Sequence, residues 1–195
     1  NFNAGKFGLA LGIYDGIWNS DSEETIDGFG DGEWGIDLQA AYVIIPGLEA
    51  RVGYARHNDA PLPADTIALF GGGSTVDIDQ LNVWIEYEVG NFTLAGEYND
   101  YEFDFHGLGS IDGRAWMLMA NYAFTDRVGG TLRYSNEDWD HFDTWKLSVG
   151  PSIRVTENLL TRFEYSYGEA DLYDEGTDGG DRDIHMFVAE GLFTF

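Results

Sequence analysis

The chain has no cysteine in its 195 residues. That removes a disulfide framework, a thiolate metal site and a cysteine nucleophile, and it is compatible with an oxidising compartment. No apolar run approaches the ~18 residues that a membrane helix needs. The most apolar stretch, 40–48, is interrupted by Pro46 and Gly47. Cations are scarce: ten Lys and Arg stand against 35 Asp and Glu, a formal charge of −25. This is the wrong sign for neutralising phosphates, so no nucleic-acid partner is expected. No signal peptide is legible, and strand-like sequence starts within a few residues of Asn1, as expected of either a processed mature chain or a fragment of something longer. No solenoid-type repeat period is present.

Aromatic residues make up 15% of the chain, and there are 26 glycines. Disordered acidic chains are poor in aromatics, so this chain is expected to fold, with 1–195 as one domain. Apolar and polar residues alternate over about ten segments of the ~9–11 residues that a tilted membrane strand requires. These are 5–14, 33–45, 48–57, 78–89, 91–101, 113–124, 127–136, 144–155, 158–169 and 184–195. The eighth is clearest, with Trp145, Leu147, Val149, Pro151, Ile153 and Val155 on one face and Lys146, Ser148, Gly150, Ser152 and Arg154 on the other.

The connections sort into short ones, at Pro46-Gly47, Gly90, Thr125-Asp126 and 156–158, and longer ones, at 15–32, 58–77, 102–112, 137–143 and 170–183. A membrane barrel has this asymmetry, with tight periplasmic turns at one rim and larger external loops at the other. Charges in mid-strand fit an inward face, because strands in lipid must close on themselves and turn their apolar face outward. The fold expected is an all-β, transmembrane, antiparallel up-and-down barrel of about ten strands in an outer membrane, its C-terminus on the periplasmic side. Trp34, Tyr98, Trp116, Tyr134, Trp145 and Tyr167 fall near the long-loop ends, and Tyr42, Phe92, Phe124 and Phe195 near the short-turn ends. They are expected to form two interfacial girdles.

The terminal Phe193-Thr194-Phe195 resembles the sorting signal of bacterial outer-membrane proteins, which implies the barrel-assembly machinery as a partner and Phe193 and Phe195 as its contact. The usual glycine is displaced by one position, to Gly191. The stretch Gly5-Lys6-Phe7 through Gly12-Ile13-Tyr14-Asp15-Gly16-Ile17-Trp18-Asn19, followed by an acidic loop and a strand ending at Pro46-Gly47, resembles the OmpL-like porins. That likeness covers residues 5–57. It implies passive diffusion of small solutes without catalytic residues, in a shortened relative or the C-terminal part of a larger barrel.

By parity the charged residues expected to line the lumen are Asp37, Glu49, Arg51, Glu86, Glu88, Glu97, Arg133, Lys146, Arg154, Arg162, Glu164 and Glu190. Two readings compete. In a wide pore, basic and acidic walls set up a field that selects solutes. In a narrow barrel the same charges pair and fill the lumen, with Glu86 and Glu97 as counter-charges to Arg133, Arg154 and Arg162. The narrow, filled case is the expectation for ten strands closed alone. Trp84 is an unusual large aromatic on the inward parity. Acidic residues crowd the first long connection (Asp21, Glu23, Glu24, Asp27, Asp31) and the last (Asp171, Asp174, Glu175, Asp178, Asp181). The last group is a weak candidate for Ca²⁺ or Mg²⁺, but no spacing matches a calcium loop, and a solvated acidic rim explains it as well. His57, His106, His141 and His185 map to loops or outer strand ends without a catalytic motif, so no catalytic residue and no resident cofactor are expected.

The functional expectation is a porin-like barrel for passive passage of small polar solutes or ions. The alternative is a closed structural barrel that presents acidic, cation-binding loops to a partner protein, another copy of itself or lipopolysaccharide. Behind both stands an omptin-like or lipid-acting hydrolase with its site at the rim.

Overall fold

The computed structural model describes residues 2–14, 34–61, 75–140, 142–174 and 177–193, with the side chains of Asn3, Tyr14, Pro61 and 172–181 left out. These residues form β1 (Phe2–Ala4), β2 (Phe7–Tyr14), β3 (Trp34–Ile45), β4 (Leu48–Pro61), β5 (Thr75–Val89), β6 (Phe92–Phe105), β7 (Gly109–Ala123), β8 (Val128–Trp139), β9 (Phe142–Arg154), β10 (Leu159–Asp174) and β11 (Thr177–Phe193). All eleven lie in one sheet in chain order. This is the up-and-down all-β architecture expected from the alternation, with ten long strands and a short first one. Among the described residues no ladder joins β11 back to β1 or β2, so the expected ring closed by ten strands is not formed by them.

Four places differ from expectation, one at a turn and three at long connections. Gly5 sits at φ +62°, a conformation glycine adopts without penalty. Gly5-Lys6 is therefore a turn, and β1 pairs back on β2 (Ala4 with Phe7). The expected long connections at 102–112, 137–143 and 170–183 are largely strand. β6 runs to Phe105, β8 to Trp139, and β10 pairs with β11 out to Asp174–Thr177. Once a hairpin leaves the apolar zone both faces meet water, and the hydropathy signal fades while the backbone ladder continues. The remaining connections of that rim, 15–33 and 62–74, lie outside the described residues. The short-turn rim is as expected. Gly47, at φ +85°, accepts a 2.7 Å bond from the Glu88 amide, and a Cβ there would lie 2.2 Å from the Glu88 carbonyl oxygen.

The burial is inside-out relative to a soluble sandwich. Among the described residues the buried hydrophobics are the small Ala60, Val76 and Ala95, whereas Leu11, Leu38, Val83, Leu118, Val149 and Phe187 are exposed on the outward parity. An apolar outward face with polar groups on the other side is what hydrocarbon requires.

The chain divides into two compact units. The first comprises 1–42, 51–83 and 99–113; the second comprises 43–50, 84–98 and 114–195. In the second unit five rings on five successive strands form a band: Trp116, Tyr134, Trp145, Tyr167 and His185, with neighbouring centroids 5.2, 6.2, 5.7 and 5.2 Å apart. Towards the short-turn ends Phe92, Tyr122 and Phe124 form a second group, at 4.4 and 5.1 Å. Both lie where the girdles were expected.

Candidate functional site: two polar inner walls

The inner wall of the second unit is built from β8, β9, β10 and β11. The register places Arg133 beside Ser148, Ser148 beside Ser166, and Arg162 beside Glu190. Arg133 reaches across β9 to pair with Glu164 on β10. It can do so because the residues between them are short. Ser148 and Ser166 share a 2.7 Å hydrogen bond, and the Ser166 hydroxyl donates to Glu164 Oε1 at 3.2 Å. Both serines are buried, at 2% and 0% exposure. Gly150 and Gly168 keep the wall flat: a Cβ on Gly168 would lie 2.0 Å from the Trp145 carbonyl oxygen, and one on Gly150 would lie 2.4 Å from that of Phe163. Arg162 faces Glu190 at 3.9 Å, with both side chains about half exposed.

Arg133, Arg162, Glu164 and Glu190 line a cavity of about 540 Å³ that also takes in Arg127, Arg154 and Thr131. Four guanidinium groups thus share one wall, and Arg133 and Arg162 find their carboxylates on strands of the same wall. The counter-charges expected from the sequence were Glu86 and Glu97; the ones found are Glu164 and Glu190. Parity alone could not have told lateral pairing along a wall from pairing across a lumen. Lys146 alternates onto this face with Ser148, and Glu86, Glu88 and Glu97 alternate onto the inward faces of β5 and β6, as does Trp84. Glu49 does so on β4.

The inner wall of the first unit is different. A recess of about 500 Å³ is lined by Gly12, Asp37, Gln39, Gly53, Gln80 and Asn82. Asn99 Oδ1 accepts from Asn82 Nδ2 at 2.7 Å and from Gln80 Nε2 at 3.2 Å. Of the expected lumen charges, Asp37 lines the recess, and Arg51 alternates onto the same face as Gly53. The amide cluster was missed in the sequence because uncharged polar residues on an inward parity carry no signal beyond alternation.

Of the acidic candidates at the last connection, Asp171 is described, in β10; Asp174, Glu175, Asp178 and Asp181 have side chains outside the described set. His57 is buried in β4, and His185 belongs to the aromatic band, where Nδ1 is 2.8 Å from the Tyr165 hydroxyl. His141, Phe195 and the first acidic connection lie outside the described residues, while Phe193 is exposed at the end of β11.

No family model matches the chain and no curated relative matches it, so the likeness to OmpL-like porins rests on its residues alone. Solved structures do match. The chain is similar to an anion-selective porin from Comamonas acidovorans, with a TM-score of 0.67 and 16% identity, over 97% of this chain and 57% of that one. It is similar to a porin refined at 1.8 Å, with a TM-score of 0.62 and 19% identity, over 97% and 60%. The CymD monoaromatic hydrocarbon channel matches with a TM-score of 0.52 and 13% identity, over 85% and 54%. The chain therefore spans less than two thirds of the length of these proteins. At such identities the likeness shows the fold, the antiparallel wall of an outer-membrane barrel.

Proposed function

We propose that this chain forms the wall of a water-filled outer-membrane channel that passes small polar solutes or ions and catalyses no reaction. The observation that carries this reading is the pairing of faces. An exposed apolar outer surface backs onto polar inner walls whose arginines and carboxylates are partly exposed. Arg162 and Glu190 are each about half exposed on this wall, as a water-lined surface requires. The porin folds that the chain resembles support the same reading. Among the described residues β1 and β11 end the sheet; in hydrocarbon such ends need backbone partners, and a span of 57–60% of those porins is consistent with a wall completed by further strands. Phe193 and Phe195 are proposed as the assembly signal, the long-connection rim as the outward side facing lipopolysaccharide, and the C-terminal end as periplasmic. Reconstitution in planar bilayers tests the channel: discrete, salt-dependent conductance steps are expected. Sealed bilayers, with the protein inserted and folded, reject it.

A further inference from the structure

At the long-connection ends of β4, β5 and β6 three side chains of metal-binding type converge. Asp59 comes from β4, Asp77 from β5, and His106 from the residue just past β6. One ligand atom from each lies within 4.8 Å of the others. His106 Nε2 is 3.5 Å from Asp77 Oδ1, and its Nδ1 is 3.5 Å from Asp59 Oδ1.

The way β4 supplies Asp59 is informative. His57 and Ala60, three residues apart, are both buried, at 2% and 1% exposure. A regular strand would put them on different faces. Between them Asp59 sits at φ +53°, the one non-glycine with positive φ among the described residues. This left-handed residue breaks the strict alternation, so Asp59 leaves the inward parity of His57 and its carboxylate reaches His106. The turned backbone is tied down by a 2.8 Å bond from the Asp59 amide to Asp77 Oδ1. On β5, Asp77 shares the outward parity of Leu81, Val83 and Ile85.

One feature outside the trio prepares it for a cation, and one works against it. Thr75 Oγ1 lies 3.0 Å from His106 Nδ1. A polar partner on one ring nitrogen orients the ring and leaves the other free to ligate, the usual support of a metal-bound imidazole. Arg56 stands 3.9 Å from Asp77 Oδ2 and 3.5 Å from Asp79. Its positive charge opposes a cation here, so the trio must bind one against that charge.

We propose that Asp59, Asp77 and His106 bind a divalent transition cation of the Zn²⁺ class at the rim of the sheet. The imidazole sets the trio apart from the carboxylates around it. Oxygen ligands alone suit Ca²⁺ or Mg²⁺, whereas a nitrogen with two carboxylates suits Zn²⁺ and its neighbours. Three protein ligands leave a coordination position for water or for an oxygen of a neighbouring phosphorylated molecule. The side chains are between 21% and 43% exposed, so small rotations can bring the ligand atoms to bond lengths of about 2.0–2.2 Å. The proposal does not depend on whether the chain conducts.

The test is calorimetric titration of the whole chain, refolded in detergent, with Zn²⁺ and separately with Ca²⁺. One saturable Zn²⁺ site is expected, with Ca²⁺ binding weaker. His106→Gln and Asp59→Asn should each weaken Zn²⁺ by tenfold or more, and Thr75→Val, which touches only the supporting bond, by about tenfold. Glu102→Gln, an exposed carboxylate of β6 outside the trio, should leave it unchanged. Circular dichroism checks that each variant is folded. Where one is not, the wild-type chain still decides: Ni²⁺ should broaden the imidazole resonances of His106 before those of the other three histidines. Absence of a saturable site, equal affinity for Ca²⁺, or a folded His106→Gln chain that binds Zn²⁺ as before would each overturn the proposal.

Discussion

The two inner walls follow one rule and carry two chemistries. In the first unit, amides from β5 and β6 bond one another beside the glycines of β2 and β4. In the second, arginines from β8 and β10 lie over serines and reach carboxylates on β10 and β11. Alternation decides only which way a side chain faces. The residue chosen for that face then sets how the wall responds to its surroundings. Amide bonds are satisfied by geometry and are indifferent to salt. Ion pairs at a wet surface weaken as the screening length shrinks to about 8 Å at physiological ionic strength.

The outer faces should be alike where the inner ones differ. Val149→Arg in the second unit and Leu38→Arg in the first should each cost about 2–4 kcal/mol near mid-membrane, read from urea titrations in lipid vesicles. A cost in only one unit would mean that the parity assigned to the other is wrong. Gly168→Ala comes next. Its methyl would meet the Trp145 carbonyl oxygen at 2.0 Å, so a strand must shift, and a loss of about 1–3 kcal/mol is expected in the same titration. Asn99→Ala removes two accepted amide bonds in the first unit and should cost about 1–2 kcal/mol. That loss should be unchanged between low and high salt. Arg133→Ala should cost no more than about 1 kcal/mol and should lose its effect as salt rises. Equal salt dependence of these two variants would erase the distinction between the walls. Arg162→Ala should hardly touch stability, because the pair is half exposed. It should instead move the reversal potential under a salt gradient toward cation preference.

Much of this was legible in the chain. Segment 144–155 has so regular an alternation that β9 and its outward residues could be read directly. Pro46-Gly47 marked a turn whose geometry requires glycine. The ends of strands were less legible. β6, β8, β10 and β11 run on past their apolar zones, where Glu102, Asp104, Asp138, Asp171 and Asp183 look like loop residues although they lie in strands. That Arg133 and Arg162 share the face opposite the apolar one followed from parity, but their partners did not. Reach over a neighbouring strand depends on Ser148 and Ser166 being small, and the period of the sequence does not encode that. The rim trio was illegible for another reason. Asp59, Asp77 and His106 fall in the stretches 58–77 and 102–112, where alternation does not say which side chains meet.

The aromatic band of β7 to β11 makes the chain its own optical probe. Trp116 and Trp145 flank Tyr134 at stacking distance in one row, and rings held this close couple their electronic transitions. Insertion should therefore appear as an exciton couplet in circular dichroism that is absent from the unfolded chain. Lipids brominated near the headgroup should quench the two tryptophans in step, and those brominated near the bilayer centre should quench neither strongly. The row lies across five strands, so its optical signal should appear only when β7 to β11 are all in register, reporting the assembly of that part of the wall without an added label.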